Sequence, residues 1–189
     1  MQHGELPSTL HANLAYWILI GTNDIGAGCS GDAVVAGNIR VVSELQHHVK
    51  KHHQQLSRDS LRRGFRTTPP TIVLNSLFPR TNRELLHNSP HWKMMQDVNQ
   101  RLECYAAITP GVVFVNTTDI FVITKEAEEA DNNNPQAEDS NSNNQKKTTT
   151  TGGVFVNPEM FVQDNLHPSA EGSKRWEEFI VDTVLSFTN

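Results

Sequence analysis

Three short apolar runs, Ala15–Ile20 (AYWILI), Thr71–Leu77 (TIVLNSL) and Val112–Asn116 (VVFVN), are separated by longer stretches with helical periodicity. The first run lies between Asn13 and Gly21 and is apolar throughout, as strands buried on both faces of a parallel sheet are. After it, Val35, Ile39, Val42, Leu45 and Val49 step by three or four residues, which predicts a helix from about Asp32 to about His53. Asp32 near its start suits the positive end of the helix dipole. Trp92, Met95, Val98, Leu102 and Tyr105 form a second such stripe before the third run. Ser169 is placed to cap a last helix whose inner stripe is Trp176, Ile180, Val184 and Phe187. Alternating strands and helices predict an α/β fold with a parallel sheet between helices.

At 189 residues, one domain spanning the whole chain is expected. Ser57 to Pro70 carries Arg58, Arg62, Arg63 and Arg66 and closes on two prolines, which predicts a polar surface loop entering the second strand. From about Lys125 to Gly153 the composition turns to Asn, Gln, Glu, Lys and Thr without periodicity. A segment so poor in apolar residues cannot offset its ordering entropy, and a disordered insertion is expected there. Gly4 and Pro7 form a helix stop with no helix in front of them, so the chain is expected to begin at the tail of an element.

A formal net charge of -5 argues against a nucleic-acid or anionic-membrane surface as the main partner. No run reaches the roughly 18 apolar residues that a spanning helix needs, and no secretion signal is recognisable, so a cytoplasmic setting is expected. Cys29 and Cys104 are too few and too far apart for a disulfide framework or a metal knuckle. His47, His48, His52 and His53 share helix faces but lack a carboxylate or cysteine at matching spacing, so a solvated helix end is expected and no metal is assigned. Asn116-Thr117-Thr118 spells a glycosylation sequon, which without a secretion signal is a chance match.

Chemistry concentrates in two places. In Asp164-Asn165-Leu166-His167-Pro168 a carboxylate three residues before a histidine can hold an imidazole in one tautomer, with proline fixing the next backbone angle. Asp164 could equally cap a turn before the last helix, leaving His167 an exposed loop residue. Asn23, in Gly21-Thr22-Asn23-Asp24, follows the first strand at the end where open α/β sheets place ligands, and its amide could donate to an oxyanion. It could also merely tolerate a turn conformation.

Taken with Leu74 to Arg80 (LNSLFPR), Ala170-Glu171-Gly172 and Trp176, these blocks resemble in order and context the SGNH (GDSL-type) ester hydrolases, and within them the catalytic subunits of platelet-activating-factor acetylhydrolase. The resemblance covers most of the chain and implies a flavodoxin-like SGNH fold. It implies Asn23 as oxyanion donor, Asp164 and His167 as acid and base, a small-molecule ester with a short acyl or acetyl group as substrate, and no cofactor. A homo- or hetero-oligomer is left open. The family's Gly-Asp-Ser block after a first strand, and its second-block glycine, have no counterpart here, so the nucleophile is unknown and the domain is expected to be N-terminally incomplete. Arg58-Asp59-Ser60-Leu61 lacks the glycine and the preceding strand, and Ser30 lacks the strand-to-helix elbow that aims a nucleophile. The alternative is a non-catalytic remnant or binding module on the same fold.

Overall fold

The computed structural model describes residues 15–63, 69–79, 86, 89–125, 153–164 and 166–187, with the side chains of 52–63 and 125 outside the description. Strands β1 (Ala15–Ile18), β2 (Thr71–Asn75) and β3 (Val112–Val115) form a three-stranded sheet in that order. Both pairings are parallel, with Ala15 opposite Thr71 and Ile72 opposite Val112. Helices α1 (Thr22–Gly26), α2 (Gly31–Arg63), α3 (Pro90–Ile108) and α4 (Ala170–Ser186) complete a flavodoxin-like α/β architecture. A separate antiparallel pair, β4 (Val122–Lys125) and β5 (Gly153–Val156), follows.

The helical stripes pack as their periodicity requires. Val35, Val42 and Leu45 of α2 and Met95, Val98 and Leu102 of α3 are buried in one cluster with Ile18, Ile72 and Leu74 of the sheet. Ser89 caps α3 by accepting from the Trp92 N–H, and Pro90 occupies its first turn, where a missing N–H costs nothing.

Four expectations are corrected. Residues 57–63, expected as polar loop, continue α2 to Arg63, because nothing among them breaks a helix and arginine is a good helix former. The first two strands are shorter than their apolar runs, ending at Ile18 and Asn75. The turn after β1 is a single helical turn, α1. The strands are not all parallel, since β4, just ahead of the expected polar tract, was not anticipated and pairs antiparallel with β5. Lys125 lies opposite Gly153 in that pair. The insertion itself lies outside the described residues, as do Gly4 and Pro7.

Candidate functional site

Gly21 turns the chain out of β1 with φ of 116°, a left-handed conformation that favours glycine. A β-carbon there would also come within 2.5 Å of Val34 Cγ1. The Asn38 amide, buried in α2, donates to the carbonyls of Ile20 at 3.2 Å and Val34 at 3.0 Å, which ties the turn to the helix. Asn23 is thereby carried into α1, exposed, at the carboxyl end of the sheet. Its backbone carbonyl accepts from Ala27 N–H at 2.8 Å.

The second block is built from loop contacts. Phe161 and Pro168 form an isolated antiparallel bridge, and the Val162 N–H donates to the His167 carbonyl at 2.9 Å. The Ser169 N–H donates to the Met160 carbonyl at 2.9 Å, while its hydroxyl accepts from the Gly172 N–H at 3.1 Å and donates to the Glu159 carbonyl. Ser169 is therefore both the cap of α4 and the clasp of the loop. Gly172 allows this approach: a β-carbon there would fall 2.1 Å from the Met160 carbonyl oxygen.

Within the closed loop, Asp164 performs two tasks. Its Oδ1 accepts from the backbone N–H groups of Leu166 at 2.8 Å and His167 at 3.0 Å. Its Oδ2 lies 2.6 Å from His167 Nδ1. The turn-capping role and the imidazole-holding role coexist, one oxygen for each. The bonds from His167 and Leu166 lower the Asp164 pKa to about 2, so the carboxylate is ionised at neutral pH and its partner Nδ1 carries the proton. In a neutral ring that contact fixes the tautomer with the lone pair on Nε2, on a side chain 70% exposed.

An aromatic platform supports the loop at the carboxyl end of the strands. The Phe161 ring lies 5.2 Å from Phe121, Phe121 lies 4.2 Å from Phe78, and Phe78 meets Trp176 edge-on at 5.1 Å. Trp176 of α4 donates its indole N–H to Asn75 Oδ1 at 3.2 Å, and Trp17 of β1 donates to the same oxygen at 3.1 Å. Asn75 Nδ2 donates to Thr117 Oγ1 at 2.9 Å, and the Thr117 N–H donates to Ser76 Oγ at 2.9 Å. This buried network escaped sequence reasoning, although a polar pair ending an apolar strand, as in TIVLNSL, was its visible signal.

Asp164 and His167 are thus brought together, and Asn23 shares their end of the sheet without a hydrogen bond to either among the described residues. Ser30 caps α2 by accepting from the Ala33 N–H at 3.3 Å, and Ser60 lies within α2. His47 and His48 meet edge-to-face at 6.2 Å, and no group of three or more His, Cys, Asp or Glu side chains converges among the described residues. Cys29 and Cys104 are both exposed thiols. No helix among the described residues is long and apolar enough to cross a membrane.

The class that this architecture defines is α/β, flavodoxin-like. One solved structure of that kind, provisionally assigned as a platelet activating factor from Streptococcus pneumonia, superposes with a TM-score of 0.51 at 19% identity over 90% of this chain. The chain spans 59% of that neighbour's length. No known family profile and no curated protein matches the sequence.

Proposed function

We propose that this chain carries the acid–base half of a serine ester hydrolase of the SGNH type, acting on short acyl or acetyl esters. The observation that supports it best is the 2.6 Å contact between Asp164 Oδ2 and His167 Nδ1 in a loop that leaves Nε2 open to solvent. The shared fold with a neighbour provisionally assigned as a platelet activating factor is in keeping with it. In the proposed reaction, Nε2 takes the proton of a serine hydroxyl as its oxygen bonds to the ester carbonyl carbon. The resulting imidazolium, held by Asp164, returns that proton to the leaving alkoxide, and water repeats the cycle on the acyl-enzyme. Asn23 donates its amide to the transient oxyanion.

A second reading, a non-catalytic binding module, is favoured by one observation. Among the described residues, the His167 ring hydrogen bonds to Asp164 and to no hydroxyl or thiol. The chain alone is therefore expected to show background turnover of a short aryl ester and no labelling by a serine-directed fluorophosphonate. A form extended upstream by a strand and Gly-Asp-Ser should label at that serine and hydrolyse the ester, and His167→Gln should lower its rate on the order of a thousandfold or more. Serine labelling with turnover by the chain alone, or an extended form indifferent to His167→Gln, would overturn the assignment.

A further inference from the structure

The outer side of β3 faces no strand among the described residues. Successive strand residues turn their N–H and C=O groups to alternate sides. The carbonyls of Gly111 and Val115 already accept from Ile72 and Ser76 of the β2 side. Both backbone groups of Phe114, and the carbonyl of Val112, therefore point outward. Edges of this kind are usually blunted by charge, proline or a bulge. Here β3 is VVFV, with Val113 36% exposed, and nearby Ile108, at the end of α3, is 82% exposed.

Helix α3 runs antiparallel to β3 and borders a cleft of about 770 Å³ whose lining includes Lys93, Gln96, Gln100, Glu103, Phe114 and Asn116. The four α3 residues, spaced by three, four and three, make one stripe: positive, neutral, neutral, negative. Neither Lys93 nor Glu103 has an ion-pair partner among the described residues, whereas Asp97 of the same cleft is paired with Arg101 at 3.4 Å. Ten helical steps separate the two unpaired charges by about 15 Å, close to the ~13 Å that Val112 to Asn116 spans as extended chain.

We propose that this face is the interface of a two-fold symmetric dimer of the chain, in which β3 pairs antiparallel with β3 of a second copy in a register centred on Phe114. In that register Phe114 exchanges both backbone hydrogen bonds with its counterpart, and the sheet becomes continuous over six strands. The two-fold reverses the stripe, so Lys93 of each copy meets Glu103 of the other while the glutamines face one another. A stripe with opposite charges at its two ends suits a second, inverted copy better than a peptide of one charge sign.

Sedimentation and light scattering on the full chain test this. The chain should dimerise at tens of micromolar, the range of a modest interface. Lys93→Glu and Glu103→Lys should each weaken the dimer about tenfold by setting like charges opposite one another. Combining the two should restore it to within about threefold, since the reversed stripe is again self-complementary. Ile20→Lys, on the β1 side of the sheet, should leave it unchanged. A monomeric wild type, a double variant no tighter than the singles, or an association lost on Ile20→Lys or indifferent to both charge reversals would overturn the proposal.

Discussion

Among the described residues two apolar clusters hold the chain together, and they are made differently. One lies between the sheet and helices α2 and α3 and is mostly aliphatic, with Val42, Leu45, Ile72, Leu74, Val98 and Leu102 all buried. The other sits at the carboxyl end of the strands and is largely aromatic, with Phe78, Phe121, Met160 and Phe161 buried and Trp176 packed against them. The first comes from regular elements, so each side chain is placed by a helical or strand period. The second comes mostly from residues that leave strands or enter helices, and it depends on close backbone approaches and shared hydrogen bonds. A repeating cluster tolerates local change; one assembled from single approaches does not. The Asp164–His167 loop rests on the second.

Gly172 should show this contrast most strongly. Its missing β-carbon makes room for the Met160 carbonyl, a backbone atom that cannot rotate away, at a would-be distance of 2.1 Å. Gly172→Ala is therefore expected to cost about 3 kcal/mol or more, the range of severe overpacking. It should also detach Ser169 from Met160 and so broaden the His167 imidazole resonances. Urea denaturation with NMR of the histidine rings measures both effects. A variant as stable as the parent, with its His167 signals unmoved, would mean that α4 does not clasp the loop.

Asn75 is the next test, because Trp17 of β1 and Trp176 of α4 both donate to its side-chain oxygen. Asn75→Leu keeps the branching at Cγ but leaves the indole N–H groups of Trp17 and Trp176 without their shared acceptor. Stranding two part-buried donors is expected to cost about 1 kcal/mol or more, toward the lower end of the penalty for fully buried ones. Near-UV circular dichroism should change along with stability, because both tryptophans are released. In the aliphatic cluster, Val42→Ala should cost about 1–3 kcal/mol through cavity formation with the near-UV spectrum intact. Equal spectral effects in the two variants would erase the distinction between the clusters.

What was legible in the sequence follows the same division. The stripes of α2 and α3 and the three parallel strands are patterned signals and stand where the pattern puts them, whereas the α4 stripe of Trp176, Ile180, Val184 and Phe187 is only half-buried. The pairing of Asp164 with His167 was legible because it is local, three residues within one turn. The clasp from Ser169 to Glu159 and Met160, the Gly172 approach and the two tryptophans on Asn75 were not. Each joins residues from nine to about a hundred positions apart through single atoms, and no period marks such contacts. The helical character of residues 57–63 was missed for the opposite reason: polarity was taken for a loop, although arginine and leucine favour a helix.

A smaller effect, of opposite sign, is expected in α2. Gly37 is exposed in mid-helix, and a β-carbon there would meet nothing within 4 Å. Gly37→Ala should stabilise the chain by about 0.5–1 kcal/mol through reduced unfolded-state entropy. A loss of stability in thermal unfolding would show that the aliphatic side is no more tolerant than the loop side.

The smallest change in stability should come from titrating the loop itself, although it reads the site most directly. Asp164 has a folded-state pKa of about 2, below its ordinary 3.8, chiefly through the hydrogen bond from the His167 ring and then through the backbone N–H groups of His167 and Leu166. For a carboxyl whose pKa is depressed on folding, the unfolded chain takes up the proton first as pH falls. The stabilisation is thus complete above the ordinary value and disappears as pH falls from about 4 to about 2. Both side chains are substantially open to water, so solvent screening keeps the contribution to global stability slight. The carboxyl carbon of Asp164, followed by NMR, should titrate with a midpoint near 2, and the His167 ring signals should respond in the same window. Asp164→Asn should abolish that acidic response while leaving the aliphatic cluster's resonances in place. A midpoint at the ordinary aspartate value would mean that the imidazole and the two N–H groups do not hold the carboxylate, and the loop would then be a simple turn with an unrelated histidine beside it.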